Sequence, residues 1–141
     1  MSKVFWDTNI FIYLFDGESE FLPAARNLRQ RMLIRGDELV TSAMTVAEVQ
    51  VLARRQGNVT KAEYLRDLVK TSGKVIEFGL NAADIFAHLR ATTSLRPADA
   101  MQLSCAASLG VELFITNDAA LHRLSVPGIH FITSLANAPL G

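Results

Sequence analysis

The chain has 141 residues, of which half are hydrophobic and one fifth are charged. This apolar content excludes an intrinsically disordered chain, and the length suits one domain spanning residues 1–141. Lys plus Arg and Asp plus Glu number 14 each, so the net charge is zero. That balance argues against a uniformly basic nucleic-acid binder, but an enzyme with locally sorted charge remains compatible with it.

The first predicted elements alternate strand and helix. A short apolar strand is followed by a helix that stops at an Asp-Gly pair, and a second helix begins near a proline and ends at a glycine. A second strand leads into a long helix capped by a serine. In chain order these elements are Val4–Trp6, Thr8–Phe15, a helix from Pro23 to Gly36, Glu38–Thr41, and Met44–Arg55 with Ser42 as its cap.

The remaining elements continue the alternation. Thr60 is predicted to cap a helix with Glu63 at the capping-box position, and Asn81 is predicted to cap another. A proline starts the next helix, and a run rich in β-branched and aromatic residues follows it. In chain order these elements are Lys61–Lys70, strand Lys74–Phe78, Asn81 to about Ala91, Pro97 to Gly110, strand Val111–Thr116, short helix Asp118–Leu124 and strand His130–Thr133.

Alternating strands and helices predict an α/β protein with a mainly parallel sheet covered by helices on both faces. In such sheets, binding sites form beyond the carboxyl ends of the strands, near the point where the strand order reverses. The polar residues that directly follow strands are therefore the first candidates for a site.

Four carboxylates occupy such positions. Asp7 and Asp118 come just after predicted strands, Glu48 lies early in the helix after the second strand, and Asp99 lies in the first turn of a later helix. Carboxylates that meet at one edge of a sheet repel one another unless a cation lies between them. Mg²⁺ and Mn²⁺ prefer oxygen ligands, so the pattern predicts a divalent-metal site.

Each acid also has an ordinary structural interpretation. Asp7 and Asp118 stand where helix N-caps are common, and Asp99 complements a helix dipole. Glu48 has the spacing of a capping box with Thr45. We favour the cap already assigned three residues earlier, which leaves Glu48 facing the strand ends.

Hydroxyl and amide side chains accompany the two acids that follow strands. Thr8 and Asn9 come after the first, and Thr116 and Asn117 precede the last. Such groups orient carboxylates or bind a metal-bound water from the second coordination sphere. Ordinary turn chemistry favours the same residue types.

The sequence resembles the PIN-domain nucleases, specifically toxins of the VapC type. The resemblance spans essentially the whole chain and lies in the segments WDTNIFIYL, SAMTVAEV, RPADAMQLSCAASLGVELFITND and ALHRL. It implies a three-layer α/β/α fold and Mg²⁺- or Mn²⁺-dependent cleavage of RNA. Asp7, Glu48, Asp99 and Asp118 match the family's acidic quartet, and Thr116 matches its frequent polar position.

The resemblance also implies partners. Toxins of this type are inhibited by a small cognate antitoxin that occupies a hydrophobic groove, and they commonly form homodimers. Phe11, Phe15, Leu33 and Met44 are candidates for lining such a groove, although their helical spacing favours core packing.

Hydrolysis of a phosphodiester needs an activated water, and a bound metal lowers the pKa of that water. We assign Asp7 as a central ligand of one or two ions, Glu48 and Asp99 to one ion, and Asp118 to a second ion or to the water. Arg96 is the favoured contact to a substrate phosphate. Arg54 and Arg55, about two turns beyond Glu48, are weaker candidates.

Other functions have less support. A phosphatase of the haloacid-dehalogenase type also begins with a strand and an aspartate, but it needs a second Asp where this chain has Asn9. A catalytically silent PIN-like scaffold that only binds a protein is the other alternative, and the intact quartet argues against it.

Cellular location is predicted from absences in the sequence. No apolar run resembles a signal peptide or a membrane span, so a cytoplasmic protein without membrane association is expected. The single Cys105 lies in an apolar run and is predicted to pack as a small hydrophobic residue.

Overall fold

A computed structural model describes residues 1–139. Within them, five strands form one sheet in the order β3-β2-β1-β4-β5, and every neighbouring pair is parallel. The strands are β1 (Lys3–Trp6), β2 (Glu38–Ser42), β3 (Lys74–Ile76), β4 (Val111–Ile115) and β5 (Ile129–Thr133). The predicted α/β class and parallel sheet are confirmed.

Helices connect consecutive strands, except that a 3₁₀ turn, Ala119–Leu121, stands where a short helix was predicted between β4 and β5. The helix that ends near residue 35 stops as expected at Gly36, whose φ of 74° places it in the left-handed region. The helices are α1 (Thr8–Phe15), α2 (Leu22–Arg35), α3 (Ala43–Glu48), α4 (Val51–Arg55), α5 (Val59–Ser72), α6 (Leu80–Thr92) and α7 (Pro97–Leu109).

Two hydrophobic clusters form the three layers. Side chains alternate between the two faces of a strand, so Val4 and Trp6 of β1 pack with residues of α1 and α2, such as Phe11. Phe5 points the other way and packs with Leu103 of α7. Both faces of the sheet are thus buried, as expected for parallel sheets. The three-layer architecture implied by the family resemblance is confirmed.

The strand order places the reversal point between β1 and β4. The chain proceeds from β1 outward to β2 and β3, then returns to the other side of β1 for β4 and β5. Asp7 follows β1, and its backbone N–H donates to the carbonyl of Ile115 at the end of β4, at 3.0 Å. Residues just beyond these two strands therefore face the crevice where α/β sheets commonly bind ligands.

The predicted helix from Met44 to Arg55 is wrong, because it is divided into α3 and α4. The helix interrupts at Val49 and Gln50, where the N–H of Gln50 bonds to the carbonyl of Ala47 in a tighter turn. Ser42 is nevertheless the N-cap, and its hydroxyl accepts from the N–H of Met44. The break makes Glu48 the last residue of α3.

Two predicted caps are also wrong. The side chain of Asn58 caps α5 by accepting from the N–H of Lys61, so the helix starts before Thr60 and forms no capping box there. Gly79 precedes α6, and Asn81 lies inside that helix. Helix α5 therefore begins at Val59 and α6 at Leu80, in each case one residue before the predicted cap.

Three groove candidates and the cysteine have different environments. Phe11 is fully buried and Phe15 is partly buried against the same cluster, as core packing predicts. Leu33 is 63% exposed, so its predicted core position is wrong. Cys105 is buried in the second cluster, and burial raises the pKa of its thiol to about 11. Among residues 1–139, no helix has the length and apolar character needed to cross a membrane.

Candidate active site

All four predicted acids line a single cavity of about 240 Å³ at the carboxyl edge of the sheet. They arrive there from different places: Asp7 follows β1, Glu48 ends α3, Asp99 lies in the first turn of α7, and Asp118 follows β4. The four acids are far apart along the chain, and the parallel sheet brings them together by aligning strand ends, as the sequence predicted. Thr8, Asn9, Ile12, Arg96, Ala98 and Gln102 line the same cavity.

Asp7 is the deepest of the four acids, with 8% of its surface exposed. Its Oδ1 accepts from the N–H of Thr8 at 2.8 Å and from Nε2 of Gln102 at 3.2 Å. Its Oδ2 accepts from the hydroxyl of Thr116 at 2.7 Å. The N-cap role and the position in the cavity therefore coexist in one side chain.

Two opposing effects act on the ionisation of Asp7. Burial raises the pKa of Asp7 above its ordinary value of 3.8, and the nearby charge of Asp99 acts in the same direction. Hydrogen bonds from Thr116, Thr8 and Gln102 lower it. The net effect is a raised pKa. A positive charge in the cavity would act against this rise and favour the carboxylate form.

Glu48 faces the cavity and does not form the capping box with Thr45. Its Oε1 accepts from the hydroxyl of Thr8 at 2.7 Å, and the helix cap is supplied by Ser42. Thr8, the residue after Asp7, thus links the start of α1 to the end of α3. The preference for an earlier cap, made from the sequence, agrees with this geometry.

Asp99 and Asp118 share one arginine. Nε of Arg96 lies 3.1 Å from Oδ2 of Asp99, and its Nη2 lies 3.5 Å from Oδ2 of Asp118. The arginine side chain is 75% exposed, against 16% for Asp99 and 28% for Asp118. Asp118 also caps the 3₁₀ turn by accepting from the N–H of Ala120.

The predicted polar neighbours divide into two groups. Thr8 and Thr116 bond to the acids as described, and Thr116 also accepts from the N–H of Asp118 at 3.1 Å. Asn9 lines the cavity, and its Nδ2 lies 3.5 Å from the Thr116 hydroxyl. Asn117 does not touch the acids, because its Oδ1 accepts from the N–H of Leu135 and fixes the segment after β5.

Sequence reasoning missed two residues at the site. Gln102 is 2% exposed and connects Asp7 to Thr8 and Thr45. Its signal was a lone amide within an apolar helix, one turn after Asp99. His122 was the second, with Nε2 2.7 Å from the carbonyl of Thr116, and no spacing in the sequence pointed to that contact.

The candidate phosphate contacts near Glu48 also change. Because α3 and α4 are separate helices, Arg54 and Arg55 do not lie on the helix of Glu48, and neither lines the acidic cavity. Arg54 instead donates from Nε to Oε1 of Gln50 at 3.0 Å. Arg96 is the guanidinium that lines the cavity.

The residues of the cavity fit a divalent cation chemically. Carboxylate oxygens are the ligands that Mg²⁺ and Mn²⁺ prefer. The buried Oδ1 of Asn9 has no hydrogen-bond donor among the residues that the structure describes, so it is available to accept from a metal-bound water. Within residues 1–139, no three acidic, histidine or cysteine side chains are yet gathered tightly around one point. Binding of one ion by three of these side chains would therefore require the carboxylates to move closer together.

Fold and site together define an α/β protein with an acidic cavity at the reversal point of a parallel sheet. The family model described as the PIN domain matches residues 4–127, and the chain belongs to the PIN-domain family. The resemblance to PIN domains seen in the sequence is thereby confirmed. No curated protein sequence gives a significant match.

Several solved structures share the fold. VapBC2 from Rickettsia felis, bound to a DNA fragment from its promoter, has a TM-score of 0.74 at 16% identity and covers 94% of this chain and 98% of its own. DNA-bound VapBC from Salmonella typhimurium has a TM-score of 0.67 at 23% identity, with coverages of 96% and 99%. VapC20 from Mycobacterium tuberculosis, a sarcin-ricin loop cleaving toxin, has a TM-score of 0.66 at 13% identity, with coverages of 86% and 96%.

Proposed function

We propose that this PIN-domain protein is a Mg²⁺- or Mn²⁺-dependent endoribonuclease and the toxin of a VapBC-type toxin–antitoxin module. The observation that carries the proposal is the meeting of four carboxylates and one arginine in a single cavity. This set suits a phosphodiester substrate, because carboxylates hold divalent ions and a guanidinium binds phosphate oxygens.

In this proposal, Asp7, Glu48, Asp99 and Asp118 hold one or two divalent ions. A bound ion would supply Lewis acidity and lower the pKa of a water molecule that attacks the phosphate. The chain itself supplies orientation: Thr116 and Thr8 hold Asp7 and Glu48 in place through hydrogen bonds of 2.7 Å. Holding carboxylates in advance reduces the reorganisation needed during the reaction.

Arg96 would contact the substrate phosphate. Its guanidinium pairs with Asp99 and Asp118, and it is largely exposed. When cations neutralise these two acids, the guanidinium becomes available to an RNA phosphate beside the cavity. The basic residue is thus already positioned at the mouth of the site.

The test is cleavage of a structured RNA by the purified protein. We expect cleavage with Mg²⁺ or Mn²⁺, loss of cleavage in EDTA, and recovery when the metal is restored. An Asp118→Asn protein purified in parallel controls for contaminating nucleases. Equal cleavage by both proteins, or cleavage that persists in EDTA, would refute the proposal and favour the catalytically silent scaffold.

The family match is to the PIN domain and offers no support for the haloacid-dehalogenase alternative. The same preparation can be given a generic phosphate monoester. Release of inorganic phosphate by the protein, without RNA cleavage, is the outcome that would restore the phosphatase alternative.

We further propose that a cognate antitoxin occupies the apolar groove beside the acidic cavity. The groove has a volume of about 530 Å³, and Phe15, Leu52 and Leu65 contribute to its walls. Ile12 and Glu48 line both the groove and the acidic cavity. An apolar segment seated in the groove therefore abuts the site, which explains how such a partner would inhibit it.

Two exposed leucines provide a matched test of this groove. Leu52 lies in the groove at 65% exposure, whereas Leu33 lies outside it at 63% exposure. If a short reading frame adjoins the gene, its product is the probe: Leu52→Glu should weaken binding and Leu33→Glu should not. Equal effects of the two changes would place the partner elsewhere.

The expected homodimer stays a prediction. Light scattering during size-exclusion chromatography gives the mass of the particle in solution and tests it directly. A mass of one chain at the concentrations used for cleavage would show that the proposed activity does not need a dimer.

A further inference from the structure

The side chain of Gln102 is a buried amide in a mostly apolar helix. Its neighbours along α7, such as Leu103 and Ala106, are fully buried in the second hydrophobic cluster. A buried amide is costly unless its hydrogen bonds are made. The hydrogen bonds of Gln102 go to Asp7, which follows β1, and to residues of α1, β2 and α3.

The hydrogen-bond pattern fixes which end of the amide faces the acids. Nε2 has two hydrogens, which it shares among three acceptors: Oδ1 of Asp7 at 3.2 Å, the Thr8 hydroxyl at 3.1 Å and the Thr45 hydroxyl at 2.8 Å. Oε1 accepts from the hydroxyl of Ser42. The reverse orientation would place the amide carbonyl against a carboxylate, which has no hydrogen to donate when ionised.

Thr8 extends this contact to a second acid. A hydroxyl has one hydrogen, and that of Thr8 is directed to Oε1 of Glu48 at 2.7 Å. The Thr8 oxygen is thus left to accept, with Nε2 of Gln102 at 3.1 Å and the Thr45 hydroxyl at 3.2 Å as its neighbouring donors. The amide thus acts on Asp7 directly and on Glu48 through the hydroxyl of Thr8.

We infer that Gln102 is a positioning residue that orients Asp7 directly and Glu48 through Thr8, so that both carboxylates present oxygens to the cation. This role rests on the proposed function, since it concerns the same metal site. It does not require Gln102 to touch the metal or the RNA. Residues of this kind commonly change metal affinity or activity by about 10- to 100-fold.

The first test is metal binding by the RNA-free protein, measured by calorimetry with Mn²⁺. Gln102→Met keeps the length of the side chain and removes both donors, and we expect the dissociation constant to rise roughly tenfold or more. Ser104→Ala is the control, because Ser104 is buried on the same helix and its hydroxyl donates to the carbonyl of Ala100. We expect that control to bind Mn²⁺ as the unsubstituted protein does.

A pair of changes at Thr8 tests the link from Gln102 to Glu48, and it also serves if Gln102→Met does not fold. Thr8→Val removes the hydroxyl and should weaken binding, whereas Thr8→Ser keeps it and should restore the original affinity. The double change Thr8→Val with Gln102→Met should weaken binding by less than the product of the single effects, because both interrupt the link from Gln102 to Glu48.

Cleavage supplies an independent readout. Activity of the Gln102→Met protein should recover as the metal concentration rises, whereas a merely structural defect would leave it low at every concentration. An unchanged dissociation constant for Gln102→Met, or equal affinities for Thr8→Val and Thr8→Ser, would overturn the inferred role while leaving the proposed nuclease intact. Failure of the unsubstituted protein to bind Mn²⁺ would overturn both.

Discussion

The four acids of the cavity form two pairs that are held in different ways. The inner pair, Asp7 and Glu48, receives hydrogen bonds from uncharged donors, namely threonine hydroxyls, an amide and a backbone N–H. The outer pair, Asp99 and Asp118, is linked by the charged side chain of Arg96. The inner donors are buried, whereas the arginine is 75% exposed.

The donors of the inner pair therefore fix the orientation of the carboxylates, whereas the partner of the outer pair mainly offsets their charge. Uncharged donors hold a carboxylate in one orientation and leave its negative charge available to a cation. A guanidinium offsets part of the negative charge. Because this one is exposed, water and ions compete with its ion pairs and weaken them. The inner pair is therefore organised before a cation binds, and the charge of the outer pair is partly offset until a cation or a substrate competes for its partner.

The largest expected effect comes from the inner pair. Asp7→Asn removes the central negative charge of the proposed metal site, and cleavage should fall by about a thousandfold or more, the scale of losing an essential catalytic group. The fold should be retained, because the amide oxygen can still accept from Thr8 and Gln102. Single-turnover cleavage rates and far-ultraviolet circular dichroism check the two expectations. Rapid cleavage by this protein would remove Asp7 from the mechanism.

The same change alters the pH dependence of stability in EDTA. Burial raises the pKa of Asp7, so the folded protein binds this proton more tightly than the unfolded chain. The stabilisation that comes from protonating Asp7 is fully present below the pKa of Asp7 in the unfolded chain. It is lost as the pH rises through the pKa of Asp7 in the folded protein. The free energy of unfolding of Asp7→Asn, relative to the unsubstituted protein, should therefore be higher at pH 7 than at pH 4.

A smaller effect should follow from Thr116→Val, which leaves the acid in place and removes the donor to its Oδ2. Thr116 is fully buried, so the lost hydrogen bond leaves a buried oxygen unpaired and should lower the free energy of unfolding by about 1–3 kcal/mol. Metal affinity should fall by about 10- to 100-fold. Calorimetry with Mn²⁺ and chemical denaturation measure these effects, and Thr116→Ser is the matched control. Similar values for Val and Ser would show that the hydroxyl does not hold the inner pair.

The sequence predicted much of this inner pair, because Asp7 directly follows a strand and Glu48 lies in the helix that follows the second strand. Strand patterns and the alternation of elements place Asp7 at a sheet edge, and the sheet was predicted as parallel. The cap at Ser42 then sets the orientation of α3 and brings Glu48 toward Thr8. These inferences rest on local rules, each of which spans only a few residues.

Other features depended on contacts between distant segments. Gln102 bonds to side chains more than fifty residues away, and its local signal, a lone amide in a mostly apolar helix, does not identify those partners. The break between α3 and α4 was missed because the apolar periodicity continues across Val49 and Gln50. Asn117 was assigned to the acids because it is adjacent in sequence, yet its side chain bonds to the segment after β5.

The outer pair should respond more weakly and in the opposite direction. Arg96→Gln removes the cation that competes with a metal, so Mn²⁺ affinity should tighten a few-fold, while the Michaelis constant for RNA should rise through loss of the proposed phosphate contact. Stability should change little, because the arginine is exposed. Arg26→Gln, an exposed arginine on α2, is the control. Weaker Mn²⁺ binding by Arg96→Gln would show that Arg96 supports the metal site instead of competing with the metal.

The smallest expected effect is a dependence on salt that distinguishes the two pairs. Raising ionic strength from about 0.01 M to about 1 M shortens the screening length from roughly 30 Å to roughly 3 Å. The ratio of Mn²⁺ dissociation constants between the unsubstituted protein and Arg96→Gln should therefore approach one, because the exposed ion pairs are already weakened in both. The corresponding ratio for Thr116→Val should change little, since a buried hydrogen bond from an uncharged donor is barely screened. If both ratios move together, the inner pair is held by charge as well, and the distinction between the two pairs fails.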